Sequence, residues 1–322
     1  MKILIYGSGI IGSTYGWQLS KAGHEITVLV RPEKRKQVME TGISIHCTDF
    51  REGQRKIENI VFKPNVIADL PSDNSFEYIL ITTNNLHLKE VLPVLSKSAG
   101  SAHILFFLNI WIADLNNINK YLSKEQYFFG FPFMVGGGRD ANGINSVISG
   151  LKQSHTPLGE LNGEVSQRVQ KIANAFEEAN LKPILHRSIK NWLITHYAIA
   201  AGLSAGIIKA GGGWIFANNS DILKDTIKAI REGFEVCQKL GFNPKTEKMN
   251  RFYSFPLFII LPIIRKIYNN EALCLMFDGH TQHSPIEMEK MLEDIIIDGE
   301  KHGIEVPFLR QMRETILNKL QS

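Results

Sequence analysis

The N-terminal half alternates short, unbroken apolar runs with stretches of helical periodicity. KILIY (residues 2–6) leads into a glycine turn and a helix through about Lys21, and EITVLV (25–30) follows. Further runs lie at YILITT (78–83), HILFFL (103–108) and YFFGFPFMV (127–135), with LHLKEVLPVLS (86–96) as a helical connector between the first two. Short runs that are apolar at consecutive positions read as strands buried on both faces. Strands separated by helices call for a parallel sheet. From about Glu164 the pattern changes to helical periodicity, through VSQRVQKIANAFEEAN, SIKNWLITHYAIAAGLSAGI, DILKDTIKAIREGFEVCQKLG and IEMEKMLEDIIIDGEKHG, and no strand-like run interrupts it for long. The predicted fold is therefore α/β, with a doubly wound parallel sheet over residues 1–184 and an all-α domain over 185–322. The break is placed near 181–186, where Pro183 follows AFEEANLK.

Composition narrows the function classes. A chain of 322 residues fits two domains, and 44% hydrophobic with 21% charged residues excludes collagen-like and disordered classes. Lys+Arg 36 against Asp+Glu 32 gives a net charge of +4, which points to no polyanionic partner such as a nucleic acid. Cys47, Cys237 and Cys274 are far apart and odd in number, arguing for reduced thiols in the cytoplasm rather than a disulfide framework. The opening MKILIYGSG lacks the apolar core and cleavage site of a secretory leader. SFPLFIILPII (254–264) is too short to span a bilayer and holds two prolines, so it reads as buried or as a cap over a cavity, with interfacial membrane contact as the lesser alternative.

The strongest chemical signal is Gly7-Ser8-Gly9-Ile10-Ile11-Gly12, a G-x-G-x-x-G directly after a strand and opening a helix. In the dinucleotide-binding Rossmann fold, Gly7 would make the tight turn, Gly9 would admit the pyrophosphate, and Gly12 would let helix and strand pack closely. The N–H groups at the helix start then face the phosphates. An acid past the second strand normally bonds the ribose hydroxyls of NAD. Arg31 stands there, with Lys34 and Arg35 nearby, which favours the 2′-phosphate of NADP over NAD. Glu33 weighs against that choice, and a solvated helix start is the alternative for the three cations.

The GSGIIG turn, the strand ending at Arg31, Gly42 before ISI, the ITT strand end, Leu108-Asn109, GGGRDANG (136–143) leading to PLGELNG (157–163), and the terminal EKHGIEVPFL (300–309) occur in an order that resembles the ketopantoate reductase (2-dehydropantoate 2-reductase) family. The resemblance covers nearly the whole chain. It implies reduction of a 2-keto acid with NADPH, a lysine as general acid, a substrate-side glutamate, and asparagines that orient substrate and nicotinamide. On this likeness Asn109 matches the strand-end asparagine and Glu287 the glutamate, fifteen residues before His302-Gly303-Ile304. Thr83 and Asn84 fall on the cofactor side. Asn109 could instead cap the following helix, and Glu287 could be a first-turn glutamate held by a helix N-terminus.

The departures from the family pattern concern the acid. Trp192 stands where the family has its catalytic lysine, Asn84 replaces another family lysine, and His196 and Ala200 occupy the asparagine positions one and two turns on from Trp192. A shifted alignment would bring Lys190 into the acid's slot but leave it without polar neighbours. His196 is then the candidate proton donor, since imidazole ordinarily titrates near neutrality, with a core histidine as the alternative. Asp278, His280, His283 and Glu287 form a polar cluster before the last helix; His280, His283 and Glu287 are its candidate metal ligands, His283 and Glu287 being an i, i+4 pair if helical, but the proline and loop setting yields no metal assignment. Trp192 suggests a less polar substrate than ketopantoate, bound in the cleft between the domains, with the run Phe252–Ile264 expected to close over that pocket as a lid. The expectation is an NADP-dependent reductase of a small carbonyl substrate, with no membrane partner and a homodimer through the helical half as a plausible assembly. A binding or sensor protein that has lost turnover is the alternative.

Overall fold

The computed structural model describes residues 1–321, apart from the side chains of residues 280–283. The chain divides into two compact units, residues 1–190 and 191–322. In the first, the described residues run β1 (Lys2–Tyr6), α1 (Ile10–Lys21), β2 (Glu25–Leu29), α2 (Pro32–Thr41), β3 (Ile43–Asp49), β4 (Lys56–Phe62), β5 (Asn65–Ile67), β6 (Tyr78–Ile81), α3 (Leu88–Ser98), β7 (His103–Phe107), α4 (Ile112–Tyr121), β8 (Tyr127–Gly130), β9 (Val135–Asp140), β10 (Gly143–Ile148), β11 (Thr156–Gly159), α5 (Gln167–Glu178) and β12 (Pro183–Leu185). They form an eight-stranded sheet ordered β12-β11-β8-β7-β6-β1-β2-β5 and a second sheet ordered β4-β3-β10-β9. β1, β2, β5, β6, β7 and β8 are mutually parallel, while β11 runs against β8.

The apolar runs at 2–6, 25–30, 78–83 and 103–108 are β1, β2, β6 and β7, and their side chains divide between the two faces. Ile3, Ile5, Tyr78, Leu80, Leu105 and Phe107 belong to one buried cluster with Tyr15 and Trp17 of α1, Ile172 and Phe176 of α5, and Ile45 and Ile144 of the second sheet. α1 is thus enclosed by the two sheets and α5, which explains why IIGSTYGWQLSK has little polar face. Tyr15 settles its hydroxyl there on Thr156 Oγ1 at 2.9 Å.

The second sheet differs from the expectation of a single sheet. Apolar-run reading finds strands covered on both faces, but β3 is half-covered, with a strict in-out burial alternation along ISIHCTD. β9, Val-Gly-Gly-Gly-Arg-Asp, has almost no strand propensity. It pairs because Gly137, at φ +122°, lets its backbone approach β10; a Cβ there would stand 2.1 Å from the Asn145 carbonyl oxygen. The run 127–135 is likewise two strands, β8 and the start of β9. Pro183 begins β12, which pairs with β11 at the sheet edge and carries the first unit past the 184/185 break expected from that proline.

In the second unit the described residues form helices only: α6 (Ile189–Ala210), α7 (Gly213–Asn218), α8 (Ser220–Lys239), α9 (Leu257–Tyr268), α10 (Glu271–His283), α11 (Pro285–Lys301) and α12 (Pro307–Gln321), with short 3₁₀ turns at 244–246 and 250–254. α6 is long and apolar enough to cross a membrane by length and composition, yet 72% of its apolar window is buried in the fold. Glu232 of α8 caps α12 by accepting from the N–H groups of Phe308 (3.0 Å) and Leu309 (2.9 Å). Tyr197 of α6 donates to Asp294 of α11 at 2.7 Å, and Lys290 closes on the same carboxylate at 2.6 Å. The greasy stretch 254–264 is largely helix α9, which packs on α7 and α8 through the buried Ile260 and Ile264 while Phe258 stays 78% exposed.

Candidate functional site

Strand register brings the sequence-predicted cofactor residues of the first unit to one edge. Tyr6 lies opposite Leu29 on one side and Ile81 on the other, and Ile81 lies opposite Phe106. The segments leaving β1, β2, β6 and β7, which carry Gly7, Arg31, Thr83 with Asn84, and Asn109, therefore all emerge at the carboxyl ends of parallel strands. Strand order reverses between β1 and β6, and parallel α/β sheets bind ligands at such a reversal.

The glycine turn is held from beneath. Thr82 Oγ1 donates to the Gly7 carbonyl at 2.9 Å, and Thr82 N–H donates to the Tyr6 carbonyl at 3.1 Å. Gly7 has φ +117°, the left-handed range that favours glycine. At Gly12 a Cβ would stand 2.1 Å from the Gly7 carbonyl and 2.4 Å from Thr82 Oγ1, so that glycine exists for close packing. Gly9 differs: a Cβ there would meet nothing within 4 Å. It is the N-cap of α1, with no capping side chain, and leaves the first-turn N–H groups for a ligand. Ile10 and Ile11 open α1, their side chains packed partly on the core. The Ser8 carbonyl is fixed twice, by Ser13 Oγ at 3.2 Å and by Arg139 Nη2 of β9 at 2.8 Å.

Beside the turn, Thr83 Oγ1 and Asn84 Oδ1 are buried with no hydrogen-bond partner. Orphaned polar atoms at a strand end, packed against Gly7 of the turn that leads into the α1 N-terminus, fit a dinucleotide whose own hydroxyl or amide groups would complete them. Arg31, the N-cap of α2, is exposed at the end of the neighbouring strand, and Lys34 and Arg35 follow it, exposed, in the first turn. Asn109 is buried behind β7. It is not the cap of α4: Asp114 accepts from Trp111 N–H at 3.0 Å and does that work.

In the second unit Trp192 and His196 stack face to face on α6, with ring centroids 4.6 Å apart and planes 11° from parallel. Burial pushes the His196 imidazole down to about 3, so it is neutral at neutral pH and does not titrate in the range expected of it. Thr195, between them in sequence, turns to the backbone of Asn191 and Trp192 and accepts from Asn250. Asn191 is engaged with residues 243–246. Glu287 is buried in the first turn of α11, two residues past Pro285. Asp278 leaves the expected polar cluster to accept from Gly213 N–H at 2.6 Å, at the start of α7. The side chains of His280 and His283 lie outside the described residues; among the described ones, no group of three His, Cys, Asp or Glu is placed to hold a metal. Sequence reasoning missed Thr82, Ser13 and Arg139. Thr82 was visible as the first Thr after β6, but Arg139 reaches the turn from a strand 131 residues away and carried no local signal.

The profile of the family described as "Ketopantoate reductase PanE/ApbA" matches residues 3–163, from the first residues of β1 through the second sheet to the loop after β11. The chain belongs to this family. Among curated relatives, an uncharacterized oxidoreductase of Bacillus subtilis is 27% identical over 209 residues, a match that takes in 64% of each chain. A 2-dehydropantoate 2-reductase of Pyrococcus abyssi is 22% identical over 258 residues, 79% of each chain. Among solved structures, D-mandelate dehydrogenase with NADH and anilino(oxo)acetate superposes with a TM-score of 0.78 at 16% identity, covering 99% of this chain and 98% of that one. The 2-dehydropantoate 2-reductase of Methylococcus capsulatus gives 0.70 at 19% identity, covering 100% and 97%. At these identities the structural likeness is one of fold. The family match makes this an oxidoreductase-type chain of the ketopantoate reductase kind.

Proposed function

We propose that this member of the ketopantoate reductase family is an NADP-dependent reductase of a ketone or 2-keto acid less polar than ketopantoate. The observation that carries the reading is the β1–β6 edge, where Thr83 packs on Gly7 of the glycine turn and leaves its Oγ1, with Asn84 Oδ1, buried and orphaned, while Gly9 of the same turn is left open. A reduced nicotinamide, when bound, supplies the hydride. The chain's residues supply the rest. The first-turn N–H groups of α1 and the positive end of its dipole hold pyrophosphate. Arg31 and Lys34 take the 2′-phosphate. Thr83, Asn84 and Asn109 orient the far end of the cofactor, and Glu287 orients substrate. His196 stays neutral and its N–H polarises the carbonyl by a hydrogen bond, while the proton that completes the alcohol comes from solvent.

The stacked Trp192 and His196 support a flat or apolar substrate group, because an indole face offers packing area where the family's lysine would offer charge. The D-mandelate dehydrogenase of like fold, which binds an aryl oxo-acid analogue, is consistent with that preference.

A second reading is favoured by one observation, the absence at position 192 of the family's acid combined with a histidine that stays neutral at working pH. On that reading the chain binds the nucleotide and turns nothing over. Purified protein separates the two: titration with NADPH and NADH, then NADPH oxidation across 2-keto acids from ketopantoate to phenylglyoxylate. Tighter binding of NADPH with turnover of apolar keto acids is the expected result. Binding without turnover selects the second reading, and ketopantoate as best substrate removes the apolar preference.

A further inference from the structure

We infer that Arg139 is a positioning residue for the pyrophosphate turn, aiming the Gly9 N–H at the nucleotide from a different sheet. The inference rests on the nucleotide reading above and adds to it a residue outside the glycine motif.

A trans peptide is planar, and its C=O and N–H point in opposite directions. The Ser8 carbonyl is pinned by Arg139 Nη2 at 2.8 Å and by Ser13 Oγ at 3.2 Å. Fixing that carbonyl fixes the N–H on its other end, which belongs to Gly9. With no side chain to restrain it and open space where its Cβ would be, Gly9 has little else to set its peptide plane. The turn's own chemistry does not suffice: Gly7 and Gly9 are the two most permissive residues the chain could place there, and a flexible turn would have to be ordered by the ligand. Arg139 moves that ordering into the fold.

The geometry of β9 explains how it reaches. Gly137, at φ +122°, brings β9 close to β10, and Arg139 pairs opposite Ile144, a buried residue of the cluster that packs on α1. The strand is thus anchored against the very helix whose N-terminus it serves, and α1 packs on β9, β10 and β3. The guanidinium also sets a fixed positive charge at the rim of a site built for an anion.

Pyrophosphate is common to both nicotinamide cofactors, so the effect should ignore the 2′-phosphate. Full-length wild type, Arg139→Met and Arg139→Lys are titrated by calorimetry with ADP-ribose, NADPH, NADH and adenosine 2′-monophosphate, which lacks the pyrophosphate. Arg139→Met should weaken ADP-ribose, NADPH and NADH alike, by about tenfold, and leave adenosine 2′-monophosphate within twofold. Arg139→Lys should recover part of the loss. Ser13→Ala, which removes the other donor to the same carbonyl, should shift ADP-ribose in the same direction and stands in if Arg139→Met does not fold. Equal losses for adenosine 2′-monophosphate would mean a merely structural role and overturn the inference, as would ADP-ribose binding within twofold of wild type. Failure of the wild type to bind any of the dinucleotides would instead remove the nucleotide reading itself, and the inference with it.

Discussion

Gly9 and Gly12 are three residues apart in one motif, yet the structure gives them opposite tasks. A methyl group at Gly12 meets two backbone or near-backbone atoms under 2.5 Å, neither of which can retreat. Gly12→Ala should lower the melting temperature and cost about 1–3 kcal/mol as overpacking. Gly9→Ala has room and an ordinary φ of −74°, so it should melt like wild type while weakening NADPH at least tenfold. Thermal melts paired with titrations separate the two, and equal behaviour would show that Gly9 does not face the ligand. His196 supports a second test. Its pKa falls from the ordinary 6.5 to about 3 on folding. Above pH 6.5 both states hold it neutral and it contributes nothing. As pH falls from 6.5 toward 3 the unfolded chain takes up the proton first, and stability is lost across that window. At ~1.4 kcal/mol per pKa unit the loss reaches about 3 kcal/mol by pH 4. His196→Phe keeps a ring on Trp192 and should remove that share of the acid sensitivity, read as the difference between urea midpoints at pH 7 and pH 4.

Between elements, the first unit depends on contacts that run far in sequence. Arg51, just past β3, bonds Asp49 with three contacts of 2.6–3.1 Å, Gln18 Oε1 of α1 at 3.0 Å, and the carbonyls of Ala179 and Asn180 beyond α5 at 3.2 Å. The pair is nearly buried, with side chains 8% and 12% exposed. Arg51→Met would strand the Asp49 carboxylate and open the end of α5, a loss of about 3 kcal/mol. Asp49→Asn with Arg51→Met should be milder than the sum of the two single changes, since the stranded charge is gone; strict additivity in a double-mutant cycle would show that the two groups do not act as a pair. The same feature explains what was legible. β1, β2, β6 and β7 announce themselves because a strand covered on both faces must be apolar throughout, and the glycine turn announces itself because its spacing is set within one strand and one helix. β3, β4, β9 and β10 are covered on one face or built from glycine, so their evidence lies in pairing partners rather than in their own composition. Asn109 and Glu287 are named through resemblance alone and Thr82 is legible as a threonine at the end of an apolar run, whereas Arg139 becomes visible only when strands distant in sequence come into register. The expectation that His196 titrates near neutrality failed because desolvation depends on packing around the ring, which no local pattern records.

At the scale of the whole chain, every residue with a geometric case for holding the nucleotide belongs to the first unit, while the residues proposed to meet substrate include His196 and Glu287 of the second. Nucleotide should therefore act first on the α/β unit. A ligand at 100 times its Kd adds about 2.7 kcal/mol to whatever it binds. Amide exchange on the intact protein reads where that stabilisation lands. With saturating NADPH, exchange should slow at the first turn of α1 and at 82–85, the two segments that face each other across the β1–β6 reversal, and more weakly at β9, whose Arg139 is tied to the turn. Rates in α8 and α12, which contribute none of these residues, should stay as they are without ligand. Protection confined to the helical unit would place the nucleotide elsewhere and undo the assignment of the glycine turn. Protection of the turn that spreads to α6 only when an aryl keto acid is added would tie the Trp192–His196 stack to substrate, because that helix would then be responding to the second ligand and not to the first.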